Sequence, residues 1–270
     1  MRKMGRKVTA ACCIGCLAFL AGVCLLAPVL SPSDPNLVNP LIKFAGMSRE
    51  HPLGTDYLGR DLLARLLWGG RNTLGCAAAV TAVSAVIGTG TGMISGFLGG
   101  IADRLIMRGS DVLRAFPGVV LVLIIVSILG VGIGNVCIAL LLTRWIWYAR
   151  MARNLTKEEL SRTSILAGRL AGSGWGSILV HHVFPAIFPR MLSILSIDFG
   201  GALLSVSGYS FLGLGILPPE PEWGMMISDG RSYMDKPGMM FWPGICLLLV
   251  VISVNILGDQ LRDILEEKRT

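Results

Sequence analysis

Uncharged, largely apolar runs recur along the chain at residues 8–33, 72–102, 115–143, 199–219 and 237–258. Each is close to or above the roughly 20 apolar residues that a helix needs to cross the hydrocarbon core of a bilayer. The first run predicts a span over 8–30, stopped by Pro28 and the cluster from Ser31 to Pro35, because proline lacks the amide that would continue a helix. The second predicts a span over 72–98 that is rich in Gly and Ala, a composition that suits close contact with other helices better than contact with lipid. The third run is too long for one helix and too short for two, and Gly130, Gly132 and Gly134 place a turn inside it. Two spans follow, 113–131 and 135–153, the second with Arg144 within its apolar length. A long amphipathic stretch, 154–189, leads to a fifth span over 190–212 that contains Asp198, and a sixth covers 240–261.

Composition agrees with this pattern. With 53% hydrophobic and only 15% charged residues among 270, the chain is no ordinary soluble domain, and the fold class expected is an all-α membrane protein with six transmembrane helices. Six spans place both termini on one side. Sixteen of the 24 Lys and Arg fall on that side, seven on the other and Arg144 inside a span, so the positive-inside rule puts the termini in the cytoplasm. The dissent comes from residues 31–71, which carry Lys43, Arg49, Arg60, Arg65 and Arg71 and must lie outside. The formal charge of +7 therefore belongs to cytoplasmic loops rather than to a nucleic-acid surface. Residues 1–71 form a first helix plus an external segment, and 72–270 a five-helix core. All seven cysteines lie in apolar stretches, which argues against a disulfide framework.

The groups needed for nucleotide hydrolysis, zinc peptidase chemistry or an esterase elbow are missing: no Gly-x-x-x-x-Gly-Lys-Ser/Thr, His-Glu-x-x-His or Gly-x-Ser-x-Gly occurs. Gly88, Gly90 and Gly92 imitate a phosphate loop but sit inside a span without a lysine, which points to helix packing. Only Arg144 and Asp198 are clearly charged within spans. They are candidates either for a structural ion pair or for a translocation path. Thr156 to Glu159 fits a capping box that starts a helix, Gly172 to Gly174 breaks the pattern, and Trp175 to Phe184 resumes it. Such a helical element outside the membrane suits a partner groove or the lipid interface. In the external segment, Asp56 and Asp61 are placed to cap backbone amides and to pair with Arg60 or Arg65. Pro218, Pro219 and Pro221 stiffen an outer loop, with Trp223 expected at the membrane interface.

Several segments, in order, resemble the permease subunits of ABC importers. Ala167, Gly168, Arg169, Leu170, Ala171 and Gly172, followed by His182 and Pro185, are similar to the cytoplasmic "EAA" loop of that family, although Leu166, Ala167 and Gly168 stand where the family has Glu and two Ala. His51 to Asp61 resembles the Leu-Gly-Thr-Asp-x-x-Gly-Arg-Asp signature of the nickel, dipeptide and oligopeptide group. Ser210 to Gly215 with Glu222, Trp223 and Gly224, and Asn255 to Asp263, resemble its later motifs. The resemblance covers roughly residues 50–265. Trp145, Trp147, Tyr148, Arg150, Gly200, Phe241 and Trp242 look most like the nickel-type permeases.

The resemblance implies a type I importer permease fold with a cytoplasmic coupling helix, and a transport subunit rather than an enzyme. Implied partners are a second, homologous permease subunit, two ATP-binding subunits that carry ATP and Mg, and an extracytoplasmic substrate-binding protein; this subunit holds no cofactor. Ala167, Gly168, Arg169, Gly172, Trp175, His182 and Pro185 would form the coupling loop, Asp198 and Arg144 the path, and Asp56, Arg60, Asp61, Glu222 and Trp223 the external docking element. With His51, His181 and His182 as the only histidines, a high-affinity nickel site in this chain is not expected. Met225, Met226, Met234, Met239 and Met240 are explained by packing and anchoring. Dipeptide or oligopeptide import is the nearest alternative, and an ATP-independent channel or carrier the alternative from another class.

Overall fold

The computed structural model describes residues 2–31, 33–162, 165 and 174–267, and among these an isolated bridge between Thr55 and Asp61 is the only strand-like pairing. The helices are α1 (Arg2–Leu25), α2 (Ala27–Leu30), α3 (Leu62–Leu98), α4 (Gly100–Arg114), α5 (Gly118–Leu129), α6 (Ile133–Leu160), α7 (Trp175–Ile178), α8 (Phe184–Phe211), α9 (Trp223–Gly230) and α10 (Gly238–Glu267). A 3-10 turn, Pro40–Ile42, precedes α3, and a π turn, Leu179–Val183, joins α7 to α8.

Four helical stretches are long and apolar enough to cross a bilayer: Val8–Leu25, Leu62–Leu98, Trp175–Phe211 and Gly238–Leu265. A fifth crossing exists if α4 and α5, bent by 84° where Pro117 interrupts them, count as one broken span. The expected span 113–131 is thus divided. Helix α6, expected to hold the fourth span, reaches about 42 Å at 1.5 Å per residue over its 28 residues. Arg144, Arg150 and Arg153 make it too polar to qualify by composition, so length and apolarity account for four or five of the six expected spans.

Helix α3 starts at Leu62, well before the expected residue 72, because the Asp61 carboxylate accepts the Ala64 amide at 2.7 Å and so caps it. Its 37 residues exceed the thickness of the hydrocarbon core, and its first turns belong to the external segment. Gly130 and Gly132, at φ of 95° and 155°, make the expected turn before α6. Thr156 does not open a helix: α6 continues through it to Leu160, held by Arg153 and Lys157, which both reach Asp103 on α4, and by Thr156 lying against Gly96.

Packing is organised around α3, which meets α6, α8, α1 and α4. Gly88, Gly92 and Gly96 recur every four residues on its α6 face, where a Cβ would collide with the carbonyl oxygens of Trp145, Ala149 and Arg153. Gly90 faces away, with nothing within 4 Å of the place a Cβ would take. Three apolar clusters stack along this axis. The outer one joins Leu62, Leu66, Trp223, Met226 and Leu247 and includes Cys24 of α1, so residues 1–71 share a core with the rest of the chain. The middle one centres on Val80, Val122, Val136 and Val206, and the inner one on Ala85, Tyr148, Ile178, Val183 and Ile187.

Replacing Gly92 by Ala is expected to destabilise the protein by roughly 1–3 kcal/mol, the cost of overpacking a close contact. Gly90→Ala should leave the melting temperature in detergent unchanged. Equal melting of the two variants would show that the glycine row does not set the spacing of α3 and α6.

Candidate functional site

The two charges that the sequence places within spans meet. An Arg144 Nη2 on α6 donates to Asp198 Oδ1 on α8 and lies 3.2 Å from the Asp198 carbonyl oxygen, while Nη1 donates to Ser205 Oγ at 3.3 Å. Tyr148, one turn after Arg144, donates its hydroxyl to Asp198 Oδ2 at 2.8 Å. Gly201 makes room, since a Cβ there would stand 3.3 Å from Arg144 Nη2. Both charged side chains are less than one-fifth exposed, 18% and 16%. A charge in hydrocarbon is costly unless paired or facing a pathway, and here each oxygen of the carboxylate has a donor. Tyr148 was missed as a site residue, although its four-residue offset from Arg144 puts both on one face of α6.

The external residues form a buried polar network. Asp56 accepts the amides of Leu58 and Arg60 at 2.8 and 2.9 Å, pairs with Arg60 at 2.6 Å and stands 3.6 Å from Arg65. Arg65 also donates to the carbonyls of Pro35 and Pro219 at 3.1 and 3.2 Å, tying two loops to the start of α3. Asp61, besides capping α3, holds His51 at 2.7 Å. Glu222 caps α9 through the Met225 amide at 2.9 Å and accepts from Thr73 at 2.8 Å. Trp223 donates its indole nitrogen to the Leu66 carbonyl at 2.9 Å. Burial pushes the Asp229 carboxyl above its ordinary value, and nearby Arg65 and Arg60 partly offset that rise.

All five expected docking residues, Asp56, Arg60, Asp61, Glu222 and Trp223, are buried. They shape the external element from within and present no side chain to a docking protein. Trp223 is fully buried rather than at a membrane interface, because Gly69 and Gly70 of α3 leave a slot for its ring.

At the opposite end, Asp103 binds Arg153 and Lys157, the latter at 2.6 Å, and accepts from Ser95 Oγ at 2.6 Å. Arg190 pairs with Glu158 at 3.0 Å and Arg150 with Asp111. Of the expected coupling residues, Ala167, Gly168, Arg169 and Gly172 lie outside the described residues. Trp175, His182 and Pro185 are exposed, while Ile178, Val183 and Ile187 on the other face are buried in the inner cluster. Pro185 has no amide to donate, and just before it the helix opens into the π turn, with the Phe184 amide reaching the Leu179 carbonyl. Among the described residues, no three His, Cys, Asp or Glu side chains converge as metal ligands.

Residues 88–270 match the family described as binding-protein-dependent transport system inner membrane component. The chain is 39% identical, over 93% of its length and 91% of the relative's, to the nickel transport system permease protein NikC of Escherichia coli K12. It is 36% identical to the metal-staphylopine import system permease protein CntC of Staphylococcus aureus, over 92% of this chain and 86% of that one. The identity is 34% to the dipeptide transport system permease protein DppC of Alkalihalophilus pseudofirmus, over 91% and 81%.

Asp56→Asn strands two buried guanidinium groups and is expected to cost about 3–5 kcal/mol, as when one partner of a buried ion pair is removed. Limited proteolysis should then cut the 31–61 segment in the variant. Wild-type resistance to cleavage would show that Asp56 does not hold this element.

Proposed function

Because the chain belongs to the family of binding-protein-dependent transport system inner membrane components, we propose that it is one permease subunit of an ATP-driven importer for nickel ions or nickel chelates. The observation that carries the substrate is the 39% identity to a nickel permease along nearly the whole chain. A metal-staphylopine permease supports a chelated cargo. Peptide import is the second reading, favoured by the 34% identity to a dipeptide permease. An ATP-independent channel or carrier is not the class this family represents.

In this reading both termini are cytoplasmic, supported by the excess of Lys and Arg on their side. A second, homologous permease completes the pathway. Two separate subunits bind ATP with Mg and act on the 154–189 loop, where exposed Trp175, His182 and Pro185 accompany Ala167, Gly168, Arg169 and Gly172. An extracytoplasmic binding protein loads substrate at the outer face, whose shape Asp56, Arg60, Asp61, Glu222 and Trp223 maintain from inside. Transport needs two accessibility states whose balance a ligand or partner shifts. The Arg144–Asp198 pair joins α6 to α8, and a passing cation competes with Arg144 for the Asp198 carboxylate.

Two measurements test the proposal. Deleting the protein should lower cellular nickel at trace external supply, and complementation should restore it, by elemental mass spectrometry. Unchanged nickel with lost uptake of labelled dipeptide would move the substrate to peptides. Asp198→Asn should abolish uptake while the complex with the ATPase still assembles. The double variant Arg144→Met with Asp198→Leu should recover any lost stability, as apolar replacements of buried pairs do, but not transport. Uptake by the double variant would reduce the pair to a structural bond.

A further inference from the structure

We infer that α4 is an in-plane anchor whose outward face lies in the headgroup layer of an anionic membrane leaflet. The inference concerns a surface outside the transport path and rests only on the chain being membrane-embedded. The 84° bend between α4 and α5 means that when one of them follows the bilayer normal, the other lies close to the membrane plane. Their compositions decide which. Helix α5 is uncharged, with Val, Leu and Ile nearly throughout, whereas α4 carries Asp103, Arg104, Arg108, Asp111 and Arg114. Helix α5 therefore enters the hydrocarbon and α4 lies flat.

The rotation of α4 is fixed by its inner face. Asp103 and Ser110 are buried against α6, where Arg153 and Lys157 hold Asp103, and Arg150 donates to Ser110 at 3.2 Å. Diametrically opposite, Ile101, Leu105, Arg108 and Val112 fall within about 60° of one another at 3.6 residues per turn. The three apolar side chains of that row are 73%, 67% and 64% exposed. Arg104, Arg108 and Arg114 are exposed as well and enter no ion pair among the described residues, while the one exposed acid of the helix, Asp111, is taken by Arg150. An apolar row that includes Arg108 and is edged by Arg104, with Arg114 at the helix end nearer the inner face, and held outward by ion pairs behind it, matches a surface that is apolar below and anionic above. A water-facing helix would gain nothing from the apolar row. A protein partner would have to supply both an apolar groove and anions for Arg104 and Arg108. The basic ends of α4 and α6 lie together, which places this anchor in the leaflet on the Lys- and Arg-rich side.

The test is hydrogen–deuterium exchange of residues 100–116 in the full chain, reconstituted in nanodiscs of phosphatidylcholine with and without phosphatidylglycerol. Exchange should slow on the order of tenfold or more in the anionic discs, given roughly a fivefold gain per cation near such a surface. The triple variant R104Q/R108Q/R114Q should lose that difference and R104K/R108K/R114K should keep it. These side chains lie outside the ion pairs that hold α4, so both variants should retain wild-type melting. Equal exchange in the two lipids overturns the proposal. Protection that arises only when the ATPase or second permease is added also overturns it and assigns the face to a protein.

Discussion

The close approach of α3 to α6 is the constraint from which the remaining geometry follows. Lipid tails are as apolar as leucine, so helices in a bilayer gain little by hiding apolar side chains and depend on intimate contact instead. Gly88, Gly92 and Gly96 provide that contact by letting the backbone of α6 lie directly on α3. Once this register is set, Arg144 and Tyr148 point to α8, and Arg153 and Lys157 reach α4. A slip of one residue along either helix would misplace all of these at once.

Charges are distributed in three tiers along the same axis. Around the start of α3, Asp56 balances Arg60 and Arg65; between α6 and α8, Asp198 balances Arg144; at the basic end, Asp103 takes Arg153 and Lys157. Buried ion pairs contribute little net stability once desolvation is counted. Their value here is orientation: the Asp198 and Asp103 pairs each join two helices, and Asp56 holds the loop before α3 against its first turns. The middle tier differs from the others in joining α6 to α8 within their apolar lengths, with each oxygen of its carboxylate given a donor.

Much of this was legible in the sequence where a residue's chemistry is local. Asp61 and Asp56 read as capping and pairing groups, and Asp198 with Arg144 stood out as charges in apolar surroundings. The failures came from long-range partners. Thr156 to Glu159 has the pattern of a helix start, but bonds from Arg153 and Lys157 to a residue some fifty positions earlier carry α6 straight through it. Trp223 reads as an interfacial aromatic until Gly69 and Gly70, far away in sequence, are seen to leave a slot for its ring. The break at Pro117 was hidden because the uncharged run continues across it, and apolarity alone does not reveal an 84° change of direction.

Arg65 ties the carbonyls of Pro35 and Pro219 to the start of α3, and Asn72 adds a bond to Pro221 at 2.8 Å. These partners emerge from the ribosome far apart in time. When α3 is inserted, the guanidinium of Arg65 has only Asp56 and Pro35 for company, and the slot along Gly69 and Gly70 stands empty. The outer face is therefore the last part of the molecule to mature, closing only after synthesis has passed residue 223. A nascent chain halted before that point has α1 to α8 but neither α9 nor α10, and its unfinished cap around the start of α3 gives quality-control proteases a distinct target.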